Sequence, residues 1–268
     1  MKSEVFNGQR FWSYFKYDAT QMWRNHMKAA VGIGLSGLFF YFVCIFFGLI
    51  LGDGWDGPNI ATRFVVFTIA FTILEFYQTR TYGYLTDRKR GSAWLMVPAS
   101  AFEKWLSMIL MTLIIIPVLF LAVFFSADFL MAVLDPTVGD SMIASIAGGM
   151  TDVIDEIVRV NGEYDTDWSL WMVAPTAFLG FCVNFLFFLL CGLIFRKNKI
   201  LGGFLILFGL SIILSTVSSF LVFSSDMDVT PENIDMVRSY LNGFNWVVGL
   251  IAAGLAGGIF WRIKTLKH

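Results

Sequence analysis

The chain is poor in the residue types on which most enzymes and metal proteins depend. Only 15% of its 268 residues are charged, and it contains two histidines, three cysteines and six prolines. It has no Gly-Lys-Ser/Thr phosphate loop, no Gly-x-Ser-x-Gly nucleophile elbow and no cysteine–histidine arrangement. The histidines, His26 and His268, belong to no cluster of metal ligands. We therefore expect no catalytic site, no metal and no cofactor.

Apolar residues take the place of the missing charge. The chain is 57% hydrophobic and 17% aromatic, whereas a soluble domain is roughly 45–50% apolar and about 25% charged. The excess lies in six continuous blocks near the roughly 20 residues that cross a bilayer. Backbone groups in hydrocarbon must bond internally, so the blocks predict an all-α fold of six transmembrane helices. The predicted spans are Ala29–Leu51, Thr62–Tyr84, Leu106–Phe125, Leu170–Phe195, Ile200–Phe223 and Phe244–Trp261.

The basic residues fall on one side of this arrangement. With the N-terminus placed in the cytoplasm, all but Arg63, Arg159 and Arg238 of the 19 basic residues lie in inner segments. Because basic residues beside spans set orientation, both termini are predicted to be cytoplasmic. The net charge of -1 therefore combines a basic inner face with an acidic outer face. No basic, aromatic soluble surface is present for nucleic acid.

Two regions are predicted outside the spans. Residues 1–28 form an amphipathic helix before the six-span domain of residues 29–268, with an aromatic stripe and a basic side. Such a helix lies at the lipid headgroups, either as a simple anchor or as a connecting helix that also touches a cytoplasmic partner. A second short helix, Pro231–Leu241, is predicted before the last span because Thr230-Pro231-Glu232 is a helix start.

The outer segment 126–168 holds nine acidic residues and one arginine, Arg159. Asp140 is predicted to cap a helix whose apolar face runs from Ile143 to Val158 and which ends at Asn161-Gly162. The pair Gly148-Gly149 is a candidate break in that helix. We expect the segment to act as a lid across the outer mouth.

Three features inside the spans have two interpretations each. Glu75, with Gln78 one turn on, is the only acid within a predicted span and would serve either a transport path or a packed hydrogen bond. Gly254 and Gly258 favour close helix packing, either within the subunit or against a second copy. Pro117 predicts a kink in the third span.

The stretch Thr81–Trp105 organises the inner side of the chain. It reads TYGYLTDRKRGSAWLMVPASAFEKW: a basic turn, Gly-Ser, an apolar step around Trp94 to Val97, then Pro-Ala-Ser and the pair Glu-Lys. A loop this short cannot form a domain, but it suits a surface element on which another protein acts. Trp94 is the predicted anchor for that contact.

This pattern resembles the loop between the second and third spans of type-2 ABC exporter permeases, six-span bacterial membrane proteins, particularly those of Bacteroidetes-like bacteria. The resemblance implies a permease subunit in the bacterial inner membrane, paired with a second permease copy or homologue and with a separate cytoplasmic ABC ATPase. The loop would be the coupling helix, and residues 85–105 would transmit nucleotide-driven closure to the spans. It assigns the ATPase contact to Arg88, Lys89, Arg90, Gly91, Ser92 and Trp94. Glu103 and Lys104 would brace the third span.

One departure and two competing interpretations stand beside this resemblance. The outer segment 126–168 is longer than the family layout implies, which leaves the substrate open; the aromatic interior suits an amphiphile. The main alternative is a membrane scaffold or assembly subunit that moves nothing and holds a partner with the same loop. A secondary transporter ranks third, since it normally needs inverted repeats and broken helices.

Overall fold

The computed structural model describes residues 6–51, 57–86, 91, 94, 96–164, 174–195, 200–207 and 234–266. Within these ranges the protein is all-helical and contains no strand. The labelled helices are α1 (Gly8–Met22), α2 (Lys28–Gly34), α3 (Ser36–Leu51), α4 (Ile60–Thr81), α5 (Ala101–Leu110), α6 (Ile116–Leu134), α7 (Met142–Tyr164), α8 (Ala174–Ile194) and α9 (Ile234–Thr265). A further helical segment covers residues 200–207. The helices divide into unit 1, Met1–Phe76 with Leu106–Asp155, and unit 2, Tyr77–Trp105 with Glu156–His268.

In unit 1, α2–α3 and α6 run in the same direction, and α4 runs in the opposite direction. Residue numbers rise together in the contacts between α2–α3 and α6, whereas in the contacts between α4 and α6 one number rises as the other falls. The parallel contacts are Gly34 with Val123, Gly37 with Phe124 and Tyr41 with Asp135. The antiparallel contacts are Arg63 with Asp128, Phe67 with Phe124 and Phe71 with Phe120. This is the up-down-up order that three successive crossings require.

The core of unit 1 is a phenylalanine cluster between α4 and α6. Phe67 contacts the rings of Phe120, Phe124 and Phe125, with the Phe67 and Phe124 centroids 5.1 Å apart at 70°. Edge-to-face pairs add about 0.5–1.5 kcal/mol beyond buried area. Gly34 lets the backbone approach Val123, whose Cβ would lie 3.0 Å from an added Cβ. Small residues and aromatic packing thus replace the hydrophobic effect, which lipid removes between helices.

Two π-helical turns interrupt the long helices of unit 1. Trp23–Met27 joins α1 to α2, and Met111–Ile115 joins α5 to α6 directly before Pro117. Proline has no N–H to donate, and the wide turn accommodates this loss, so residues 101–134 remain one candidate span. A sharper bend of 44° separates Gly8–Gly34 from Ser36–Leu51. It lies at Leu35, inside the predicted first span.

In unit 2, α8 and α9 run parallel. Thr176 donates to Asn245 Oδ1 at 2.7 Å, and seventeen residues further along both helices Arg262 Nε donates to the Leu193 carbonyl at 3.1 Å. Gly192 is required on α8 because a Cβ there would meet the Thr79 carbonyl oxygen. Between two helices that run in the same direction, the predicted span Ile200–Phe223 would supply the return crossing of a six-span arrangement.

Candidate spans are fewer than the sequence predicts. Among the described residues, Ile60–Thr86, Ala101–Leu134, Ala174–Ile194 and Asn242–Thr265 are long and apolar enough to cross a membrane. The bent pair Gly8–Gly34 and Ser36–Leu51 makes a fifth. The predicted span Ile200–Phe223 lies outside the described residues except for 200–207, so six spans stay a prediction. The parallel course of α8 and α9 supports it.

The outer segment differs from its prediction in three places. The helix before it continues to Leu134, because Arg63 neutralises Asp128 on its last turns. The α7 N-terminus is capped by Ser141, whose Oγ accepts from Ala144 N at 3.3 Å, and not by Asp140. α7 also runs unbroken through Gly148-Gly149 to Tyr164, since an exposed helical glycine costs only about 1 kcal/mol and does not forbid the helix.

Candidate functional site

The candidate site is the stretch Thr81–Trp105 in unit 2, which the sequence analysis singles out. It begins with a 3-10 turn, Gly83–Thr86, in which Thr86 Oγ1 donates to the Gly83 carbonyl at 2.8 Å. Tyr82 and Leu85 are completely buried. The start of the stretch is therefore packed into the unit and is not a free loop.

Trp94 and Lys104 form the middle of the site. The Trp94 side chain is only 5% exposed. The Lys104 ammonium lies 4.6 Å from the centroid of its ring and donates to the Trp94 carbonyl at 3.1 Å. A cation over an aromatic face contributes about 0.5–2 kcal/mol, most when it is desolvated. Lys104 thus ties the apolar step to the first turn of α5.

A capping box ends the site. Ser100 N donates to Glu103 Oε2 at 2.8 Å, and Glu103 N donates to Ser100 Oγ at 3.2 Å. This reciprocal pair satisfies two backbone donors at the start of α5. The fully buried Glu103 therefore fixes where the long span Ala101–Leu134 begins.

Among the described large apolar side chains of the site, Met96 is the most exposed, and Phe102 follows at 42%. Met96 is 84% exposed, two residues after the buried Trp94. Val97 N donates to the Trp94 carbonyl at 3.3 Å. Gly91 is buried, while Arg88, Lys89, Arg90 and Ser92 lie outside the described residues.

Glu75 and Gln78 lie on α4 but differ in burial. Glu75 is half-buried, whereas Gln78 is completely buried. Gln78 Oε1 accepts a long 3.4 Å hydrogen bond from Thr81 Oγ1, and its Nε2 has no partner among the described residues. A buried donor without a partner costs roughly 1–3 kcal/mol. Of the two residues, Gln78 therefore has the less favourable surroundings, because it is completely buried and its Nε2 lacks a described hydrogen-bond partner.

A buried ion pair in unit 1 is absent from the sequence analysis. Arg63 Nη1 lies 2.9 Å from Asp128 Oδ1, with both side chains almost fully buried. Arg63 Nη2 donates to the Val138 and Asp140 carbonyls, at 3.1 and 2.7 Å. Asp128 Oδ2 accepts from Met142 N at 2.6 Å, at the start of α7. One pair of charges therefore joins α4, α6 and α7.

A sequence signal for this pair exists. Arg63 is one of three basic residues that the topology leaves on the outer side, and Asp128 follows the predicted end of the third span. Successive antiparallel spans bring these two ends together. Opposite charges at such ends predict an ion pair. The predicted end of the third span at Phe125 places Asp128 outside the helix, so the pair with Arg63 is not apparent.

A second buried polar contact joins the N-terminal helix to the third span. Ser107 Oγ donates to Asp18 Oδ2 at 2.6 Å, and both residues are buried. Trp12 on α1 and Trp23 in the following π-helical turn are exposed. The helix therefore has one face bound to the unit and an aromatic face open to a headgroup layer.

The described residues thus form apolar helices typical of a membrane protein, with a braced turn, Trp94–Lys104, in unit 2 and a buried charge pair at the base of α7 in unit 1. No family model, curated protein or solved structure matches the chain.

Proposed function

We propose that the protein is the membrane-spanning permease subunit of an ABC transporter that exports an amphiphile. The observation that carries the proposal is the braced turn: Met96 stands 84% exposed beside a Trp94–Lys104 platform at the start of a long span. The chain has no ATP-binding motif of its own, so ATP is hydrolysed by a separate cytoplasmic ATPase.

The platform suits force transmission because it is stiff. Trp94 is held by the Lys104 ammonium at 4.6 Å, and Lys104 follows the Glu103 that caps α5. A push on the apolar step is passed directly to the first turn of Ala101–Leu134. Met96 is the contact residue, because a flexible thioether adapts to a groove on a partner.

The remaining partners follow from the same proposal. A permease of this class works as a pair, so the second partner is another copy or a homologue. Gly254 leaves open space where a Cβ would stand, whereas Gly258 packs 3.6 Å from Leu190 in the same unit. Gly258 thus serves packing within the chain, and Gly254 is free to meet another helix.

The test uses two exposed methionines. Met96→Asp places a charge on the proposed contact, and Met150→Asp places the same charge on α7, where Met150 is 52% exposed. The full chain is co-expressed with a candidate cytoplasmic ABC ATPase, and co-purification and ATP turnover in proteoliposomes are measured. Loss of a buried anchor costs roughly 2 kcal/mol or more, which is about thirtyfold in Kd.

Met96→Asp is expected to lose the ATPase, while Met150→Asp keeps it. Trp94→Ala is expected to keep the protein in the membrane but to uncouple ATP hydrolysis from transport, because it removes the platform under Met96. Equal behaviour of the two aspartate variants would remove the coupling role of this turn. An ATPase that binds through Met96 without driving any transport would favour a scaffold.

A further inference from the structure

The N-terminal helix α1 packs on unit 1 with one face and leaves the opposite face exposed. Tyr14 and Asp18 are buried, whereas Trp12, Lys16 and Trp23 are exposed. On a helix of 3.6 residues per turn, both tryptophans lie within about 40° of Lys16, and Asp18 lies about 160° from it. The exposed side chains therefore form one continuous face, about 16 Å long between the two tryptophans.

The exposed face is positively charged because the fold buries its one acid. Residues 6–28 contain a single acidic residue, Asp18, which is buried and accepts from Ser107 Oγ at 2.6 Å. Lys16, Arg24 and Lys28 stay exposed. The basic face, as we name it, consists of Trp12, Lys16, Trp23, Arg24 and Lys28.

The basic face lies near one end of a candidate span. Ser107, which binds Asp18, is close to the start of Ala101–Leu134, a helix of 34 residues. Such a helix is about 51 Å long, whereas the hydrocarbon core is about 30 Å thick, so its ends reach the headgroup layers. Lys16 Nζ lies 5.4 Å from the centroid of the Trp12 ring. Because tryptophan favours the headgroup level, this contact keeps the ammonium among lipid headgroups.

The composition of the face favours lipid over a protein partner. Within residues 6–28, no exposed residue is a leucine, isoleucine, valine or methionine. The core of a protein interface is depleted of charged residues, whereas basic residues clustered on an amphipathic helix recognise anionic lipid. A face of tryptophans and basic side chains therefore matches an anionic headgroup layer.

We propose that the basic face binds anionic phospholipid, with lipid phosphates held between Lys16, Arg24 and Lys28 and the two tryptophans at the headgroup level. This goes beyond an interfacial position for α1, because the charge of the lipid becomes the property that is selected. Phosphatidylglycerol is bound in preference to phosphatidylcholine. The inference does not depend on the proposed function.

Lipid titration of the full chain, purified and delipidated in a neutral detergent, tests the proposal. Native mass spectrometry counts the bound lipids and gives a Kd for phosphatidylglycerol and for phosphatidylcholine. We expect a preference of at least about tenfold for phosphatidylglycerol, since one basic residue near an anionic surface contributes about fivefold. Raising the salt from about 0.05 to about 0.5 M should reduce this preference, because salt screens exposed charges. Equal affinity for the two lipids would overturn the proposal.

Single substitutions test whether the lipid binds at α1. Lys16→Gln should weaken phosphatidylglycerol binding about fivefold, whereas Lys16→Arg keeps the charge and should preserve it. Lys264→Gln is the matched control, because Lys264 is also exposed but lies on the last turn of α9. Equal losses in Lys16→Gln and Lys264→Gln would show a general effect of charge and refute the site. A Lys16→Gln protein that binds lipid normally but loses a cytoplasmic ATPase would make the face a protein surface instead.

Asp18→Asn tests the orientation of the helix. Asparagine Oδ1 can still accept from Ser107, and the buried carboxylate does not face the lipid, so the preference should not change. A further gain in phosphatidylglycerol affinity would mean that Asp18 faces the lipid and would contradict the proposed face. In nanodiscs of the unaltered protein, amide hydrogen exchange at residues 12–24 should be slower in phosphatidylglycerol than in phosphatidylcholine. Identical exchange in the two lipids would count against binding at α1.

Discussion

Two connections that follow candidate spans are built in opposite ways. The segment Asp135–Met142 follows α6 and is fastened by groups from other parts of unit 1. Its partners are Tyr41 on α3 for Asp135, Gly57 for Thr137, and Arg63 on α4 for the Val138 and Asp140 carbonyls. The turn Thr81–Trp105 follows α4, and the hydrogen bonds described at its apolar step and at the start of α5 join its own residues, such as Lys104 with Trp94. At its last residue, Trp105 Nε1 donates to the Ala256 carbonyl of α9 at 2.9 Å.

The difference separates a structural connection from an interaction surface. The first segment is held inward by Arg63, which binds the Val138 and Asp140 carbonyls and forms a buried ion pair with Asp128. The turn also buries its Trp94, but it leaves Met96 exposed above a braced base. A surface of this kind can change its contacts with a partner while the chain beneath it stays folded. The predictions below test each half of this comparison.

The largest effect is expected at Arg63. Arg63→Met keeps an unbranched apolar stem but removes the guanidinium, so Asp128 is left charged and buried without its partner, which costs about 3–5 kcal/mol. Unfolding of the detergent-purified protein by dodecyl sulfate, followed by circular dichroism, measures the loss. The double variant with Asp128→Leu should be more stable than Arg63→Met alone, because no isolated charge remains. A single variant as stable as the unaltered protein would contradict the fastening role of the pair.

A smaller loss is expected at the base of the turn. Gly192→Ala places a Cβ against the Thr79 carbonyl, and such overpacking costs typically 1–3 kcal/mol. Gly180→Ala is the matched control on the same helix, because nothing lies within 4 Å of its added Cβ. The same unfolding assay should show Gly192→Ala destabilised and Gly180→Ala unchanged or slightly stabilised. If both behave alike, α8 does not pack closely on the end of α4.

The capping box tests the other end of the turn. Ser100→Ala removes the Oγ that accepts from Glu103 N, and loss of such a cap costs about 0.5–2 kcal/mol. Glu103→Gln should cost less, because glutamine at this position still serves a capping box. If Ser100→Ala were neutral while the fold is intact, α5 would begin without help from its cap.

The sequence predicts the helical membrane class because long apolar runs have few alternatives. The capping box of α5 was not predicted, although the local pattern Ser-x-x-Glu at Ser100 and Glu103 is a sequence signal for it. The burial of Trp94 could not be predicted, since an interfacial tryptophan and a packed one look the same in a single sequence. The Lys104 side chain that covers it comes from ten residues away and is apparent only after folding.

The span boundaries show the same limit. Charge marks where a helix leaves hydrocarbon only when that charge is solvated. Asp128 looks like the beginning of an outer segment, but its pairing with Arg63 lets α6 continue to Leu134. The bend of the first span similarly falls at Leu35 and not beside the basic Lys28, because Gly34 and the nearby Gly37 are held against α6. Tertiary contacts override the local pattern in both cases.

The smallest effect is expected in α7 and has the opposite sign. Gly148 and Gly149 lie inside an exposed, continuous helix, and nothing stands within 4 Å of an added Cβ at either position. Alanine at such a site gains about 0.4–1 kcal/mol, because it reduces the freedom of the unfolded chain without strain in the folded one. Gly148→Ala and Gly149→Ala should therefore each stabilise the protein slightly.

Gly139 provides the control for these variants, since it lies just before the same helix but has a φ of 73°. Gly139→Ala should destabilise, because side chains other than glycine rarely adopt that backbone conformation. Amide hydrogen exchange across α7 is a second measurement, because it reports local opening of the helix, which global stability does not. Slower exchange at residues 146–153 in both alanine variants would support a continuous α7 whose start is held by the Arg63–Asp128 pair. Unchanged exchange together with lost stability would instead indicate a hinge at the glycine pair, and the outer connection would then be mobile beyond Met142.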